Sequence, residues 1–169
     1  MKLVDILPLE KWIELEKEIN KSFGLNAAVF DADGTRITDF KKWANRLCPV
    51  VKTHEKGGSF ICAIAHQNAA NQAKETRKSV IVECDAGLVK VVVPIFVNDE
   101  FLGAVGGCGL LLYNSEVDTF LINKTTDIDV GQIENLSNDI QIIRDDKIES
   151  LIEYLEKKIA WIIRNFENR

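Results

Sequence analysis

Residues 83–112 read E-C-D-A-G-L-V-K-V-V-V-P-I-F-V-N-D-E-F-L-G-A-V-G-G-C-G-L-L-L. Two apolar runs, 89–97 and 101–112, flank Asn98-Asp99, a pair suited to a tight hairpin turn. Glycines crowd the second run at Gly103, Gly106, Gly107 and Gly109. Glycine inside a strand marks a bulge or a close approach to the backbone. Such a hairpin suits the wall of a cavity. Gly106-Gly107 either exposes backbone amides to a ligand or bulges and curves the sheet.

The elements around this hairpin follow from periodicity and turn chemistry. Pro8 opens a helix whose apolar face is Leu9, Trp12, Leu15, Ile19 and Phe23, and Gly24 stops it. A short strand at 27–30, the turn Asp31-Ala32-Asp33-Gly34 and a return at 35–38 read as a second hairpin. Residues 39–58 read as a loop with a short helix after Pro49, broken at Gly57-Gly58. Ser59 caps a helix to about Arg77, on which Cys62, His66, Ala69 and Ala73 share a face. A strand at 80–84 leads into the long hairpin. Helices follow at about 114–124 and 131–137.

The last helix, about 145–166, carries Ile148, Ile152, Leu155, Ile159, Ile162 and Phe166 at alternating steps of four and three, a heptad seam. It packs either on the domain's own first helix, through Trp12, Leu15 and Ile19, or against a second copy in a homodimer. Trp161, like Trp12, is expected in a helix interface. Hairpins gathered in sequence, with helices elsewhere, give an α+β domain with an antiparallel sheet of about five strands.

Bulk composition narrows the function. The 169 residues are 46% hydrophobic and 28% charged, which suits one folded domain over 1–169 and excludes a disordered chain. The net charge is −5, with a pI near 5.1 and no basic stripe, so nucleic acid is not an expected partner. No apolar run reaches the roughly 20 residues of a membrane helix, and the N-terminus lacks a signal-peptide pattern. A cytoplasmic protein without a membrane partner is expected. No nucleophile elbow, phosphate loop or dinucleotide fingerprint is present, so the chain does not read as an enzyme.

The ordered pieces G-L-N-A-A-V-F-D-A-D-G-T-R-I-T from Gly24, L-C-P at Cys48, F-I-C at Cys62, V-I-V-E-C-D-A-G-L around Cys84, V-P-I-F-V, and F-L-G-A-V-G-G resemble the PocR sensory domain. The resemblance implies a PAS-like fold around a ligand pocket. It also implies a bacterial or archaeal sensor of diols, alcohols or other simple hydrocarbon derivatives, usually joined to an output module. This chain departs from the family pattern at Asp85, where a histidine is common, and at Cys108, where a glutamine is common. No output module is recognisable in it, so a stand-alone sensor acting on a signalling partner protein is expected.

On that basis the ligand pocket is expected between the sheet and the Cys62 helix, at Trp43, Cys84, Asp85, Val93, Ile95, Gly106 and Gly107. Trp43 serves there as a lid or as an anchor for its loop. Cys48, Cys62 and Cys84 match positions where the family often has cysteine. With Cys108 they make four thiols, a set that suits zinc or an iron–sulfur cluster. The alternatives are inert core thiols, a redox disulfide, or a zinc site of Cys48, His54, Cys62 and His66. The second functional class is therefore a redox- or metal-responsive thiol module. The third is a dimerisation protein that keeps the fold without a ligand.

Overall fold

A computed structural model describes residues 1–169. A short helix α1 (Leu3–Ile6) precedes α2 (Leu9–Phe23), which Gly24 closes in a left-handed cap. Strand β1 (Asn26–Asp31) follows. After a long connection come α3 (Leu47–Thr53), a single turn α4 (Glu55–Gly57), a π-helical turn (Gly58–Cys62) and α5 (Ala63–Thr76). Strands β2 (Val80–Glu83), β3 (Val89–Val97) and β4 (Glu100–Leu112) complete the sheet. Helices α6 (Thr119–Thr126) and α7 (Val130–Ser137), strand β5 (Ile142–Ile143) and helix α8 (Asp145–Glu167) end the chain.

Four of the five strands run β1-β4-β3-β2, antiparallel throughout, and the fifth, β5, pairs in parallel with the end of β4. This is the expected α+β, PAS-like arrangement with a long C-terminal helix. The β3–β4 turn places Asn98 and Asp99 at φ 48° and 65°, the geometry of a two-residue hairpin that matches strand twist. Opposite the step from Val89 to Lys90, β4 advances from Leu110 to Cys108. Gly109 is the extra residue, at φ 101°, so this glycine makes a bulge. Gly106 has another role. A Cβ there would stand 1.8 Å from the Val91 carbonyl oxygen, so only glycine lets β3 and β4 come together at this point.

The two sheet faces are covered differently. Val89, Val91, Val93, Ile95 and Val97 of β3 join Trp12, Leu15 and Ile19 of α2 and Ile148, Leu151, Leu155, Ile159 and Ile162 of α8 in the main core. The C-terminal seam thus faces the chain's own sheet and first helices. Leu151 replaces Ile152 among its buried members, and Trp161 stands 56% exposed outside it. The opposite face carries Ala69 and Ala73 of α5 against Val80, Val92 and Ala104. A third cluster unites Leu47, Val51, Ile61, Leu88, Ile122 and Ile133 beyond the sheet's edge.

Several local expectations are corrected. The segment 35–38 is no strand: one bridge, Phe30 to Arg36, is all that pairs it with β1, whose ladder partner is β4. Its side chains are used elsewhere. Glu16 of α2 is fully buried and accepts from the Val29 amide at 2.9 Å, from Thr38 Oγ1 and from Arg36 at 3.4 Å. Arg36 also donates to the Ala27 and Phe40 carbonyls. These bonds peel the segment off the sheet and anchor it over α2. The helix assigned to 59–77 is instead a π turn followed by α5, and α3 begins at Leu47, ahead of Pro49. Asp118 caps α6, so that helix starts at Thr119.

With α8 an integral part of the core, Leu155→Ala is expected to destabilise the whole domain by about 3 kcal/mol, the usual scale for a buried leucine. Denaturant unfolding should show one transition with a lower midpoint. A separate early transition for α8, with the remaining midpoint unchanged, would contradict this packing.

Candidate functional site

The face of the sheet toward α3 and α5 is incompletely filled. A cavity of about 630 Å³ lies between β1, β3 and β4 on one side and α3, the π turn and α5 on the other. Its walls are largely apolar, including Ala28, Phe30, Val51, Ile61, Leu88, Val92 and Ala104. A few polar groups stand among them, the composition usual for small-molecule sites.

The crossing of α3 and the π turn sets the roof. A Cβ on Gly57 would lie 2.3 Å from the Val51 carbonyl oxygen, and one on Gly58 2.6 Å from that of Lys52. The glycine pair expected to break the chain instead lets two helical segments touch. A π turn holds one residue more than an α turn and offsets the side chains that follow, and such turns occur often at functional sites. Cys62 ends this one and reaches the cavity wall.

Trp43, Cys84, Gly106 and Gly107 line the cavity, and so do Cys48, Cys62 and Cys108. Val93 and Ile95 do not. They belong to the main core on the other face, with Val89, Val91 and Val97. Asp85 is exposed in the β2–β3 turn, outside the lining. His54 is also outside it, and its Nδ1 accepts from the Gly57 amide at 3.3 Å as a helix cap. The set Cys48, His54, Cys62 and His66 is therefore not brought together.

The four cysteines are free and half-buried, and they come from four separate parts of the chain. Burial pushes the Cys48 thiol far up, and the nearby sulfur of Cys108 adds to the shift. Burial likewise raises Cys62 to about 11, with Lys52 opposing it. It raises Cys84 too, where the backbone amides of Leu88 and Ala86 pull the other way. No group of three or more His, Cys, Asp or Glu side chains stands close enough to enclose a single metal ion.

The two most distinctive polar groups are His66, expected only as a helix-face residue or zinc ligand, and Lys90, which sequence reasoning did not single out. His66 is 7% exposed and Lys90 8%. Both nitrogens of His66 are buried without a hydrogen-bond partner, a costly state for a polar group. The imidazole stacks on Phe30 with ring centroids 3.5 Å apart, and both rings line the cavity. Burial, with Lys90 and Lys52 nearby, holds the His66 pKa down to about 3. Lys90 is the second residue of β3, opposite Cys108, and has no ion-pair partner. One sequence signal pointed to it: Lys90 is the only charged residue in the run Val89–Val97.

An antiparallel sheet with a small-molecule cavity beneath a helical cap, backed by a long terminal helix, is the arrangement of a PAS-like sensory domain. The family model described as the sensory domain found in PocR matches residues 5–165. The chain belongs to that family, which is a sensory one. No curated protein matches the chain, and no solved structure does. No helix is long and apolar enough to cross a membrane.

The state of His66 has a measurable consequence. An unfolded histidine binds a proton near pH 6.5, whereas His66 in the folded domain does so only near 3. Between these values the unfolded chain holds the extra proton, so stability falls as pH falls through that window. The loss should reach about 1.4 kcal/mol per pH unit from this one group. Denaturant unfolding at several values between pH 7 and 4 should give a slope shallower by about that amount in His66→Phe. Equal slopes in the two proteins would contradict the buried neutral imidazole.

Proposed function

We propose that this domain senses a small hydroxyl-bearing organic molecule, a diol, alcohol or similar hydrocarbon derivative, held in the cavity against His66. The observation that carries the reading is the pair of unpartnered His66 nitrogens on a largely apolar wall. A neutral imidazole offers one donor and one acceptor. A hydroxyl group offers the same two functions and completes both bonds. The hydrocarbon part of the ligand then lies along Ala28, Ala70, Val92 and Ala104.

Signalling follows from the two-faced sheet. Lys90 and Val92 face the cavity side, while Val89, Val91 and Val93 on the same strand pack with α8. A ligand that binds one arrangement of β3 and the helical cap better than another shifts the population of that arrangement. A partner protein touching the outer side of α8 reads the shift. A second reading, in which the thiols form the sensing element, is favoured by the meeting of all four cysteines at the same cavity.

Thermal unfolding in the presence of short diols and alcohols tests the first reading. A ligand specific for the folded state at 100 times its Kd adds about 2.7 kcal/mol of stability. One or more compounds should raise the melting temperature of the wild type and have no such effect on a folded His66→Phe protein. No shift with any of them, or equal shifts in wild type and variant, would remove the His66 reading.

A further inference from the structure

Four cysteines, two lysines and several aimed donors share one part of the cavity wall, and the organic ligand proposed above needs none of them. Cys48 lies at the start of α3, Cys62 at the end of the π turn, Cys84 in the β2–β3 turn and Cys108 on β4. Cys48, Cys62 and Cys84 pack against a single apolar cluster. Cys108 lines the same cavity as the other three. The sulfurs thus form a group of four.

Burial keeps the metal-free thiols protonated, yet side-chain amide donors are aimed at two of the sulfurs. Asn45 Nδ2 lies 3.2 Å from the Cys48 sulfur, and Asn26 Nδ2 lies 3.9 Å from that of Cys108. Neutral thiols are weak acceptors and do not call for such an array, whereas metal-bound thiolates are oriented and tuned by it. Lys52 and Lys90 add positive charge beside Cys62, and Lys90 also acts on Cys84. Neither lysine has a carboxylate partner.

The geometry points to a four-iron, four-sulfide cluster bound by Cys48, Cys62, Cys84 and Cys108, with Lys52 and Lys90 balancing its charge. Spacing favours a cluster over one zinc ion. Bonds of about 2.3 Å to one tetrahedral zinc put its sulfurs about 3.8 Å apart. No three candidate ligands come within range of a single ion here, and a cube of irons holds its thiolates farther apart. Charge also fits. Each thiol gives up its proton on ligation, and four thiolates around a doubly positive core leave a net charge of about −2. The two lysines supply the opposite charge. This assignment stands apart from the ligand reading at His66, because its readout is iron, sulfide and redox behaviour and not a ligand-induced melting shift.

The test is anaerobic reconstitution of the full chain with ferrous iron, sulfide and a thiol reductant, followed by iron and acid-labile sulfide analysis and visible spectroscopy. Close to four iron and four sulfide per chain, with a brown chromophore that bleaches on dithionite reduction, is the expected result. Cys84→Ser and Cys108→Ser proteins that keep a cooperative melt should lose at least half of that content. Lys90→Met keeps all four ligands, and removing its positive charge should lower the cluster's reduction potential. A folded wild type holding less than about one iron per chain would overturn the proposal. So would stoichiometric zinc in its place, full iron retention by both cysteine variants, or an unchanged potential in Lys90→Met. Should the cysteine variants not fold, wild-type stoichiometry and the Lys90→Met potential decide the matter.

Discussion

At Gly106, β4 passes β3 with no room for a side chain, and the rest of the domain is arranged around that ladder. Any side chain at Gly106 would meet the Val91 carbonyl. The strands pair from the Asn98-Asp99 turn to the bulge at Gly109, with one further register shift between Ile95 and Phe96. One face of this ladder takes α2 and α8 and buries nearly every side chain it presents. The other takes the α5 alanines at one end only. Over the remainder, α3 and the π turn hold each other through the Gly57-Gly58 crossing and stand away from the strands. The cavity follows from a roof built on its own contacts.

The polar groups in that space make sense only in relation to something that fills it. A buried imidazole with two idle nitrogens and a buried lysine without a counter-ion each carry a free-energy cost in an empty pocket. Together they make the covered but unfilled face of the sheet the functional one. The packed face supplies the stability that offsets those costs. Glu16 is the link between the two, since it lies buried on α2 while its partner Arg36 reaches the cavity rim.

Much of the fold was legible in the sequence because local chemistry and tertiary packing agree there. The long hairpin has its turn pair, α2 has its proline and glycine ends, and α8 has an unbroken apolar seam. The return at 35–38 misled because Thr35, Ile37 and Thr38 have strand character, whereas Arg36 and Thr38 are drawn off by Glu16, twenty or more positions earlier. Val93 and Ile95 were placed on the wrong face for a related reason. Both faces of β3 are covered, so its apolar run hides the two-residue period, and only Lys90 marks which positions face the cavity. The four cysteines could be grouped only through the family resemblance and not from their spacing, since their placement depends on the π turn and on the register of Cys108 opposite Lys90. His66 was visible as a helix-face residue beside Cys62 and as a candidate zinc ligand, but not as a ligand contact, because its lack of partners is a property of the folded surroundings.

The central claim is that the sheet face toward α3 and α5 is built to be filled by something other than protein. A crystal structure of the full chain, prepared and frozen without oxygen, tests this most directly. The account expects electron density in the cavity that the polypeptide does not explain, bonded to the cysteine sulfurs or to the His66 ring nitrogens, with α3 and the π turn standing clear of β4. A roof collapsed onto β4, with His66 hydrogen-bonded to protein groups and no space left between them, would contradict it.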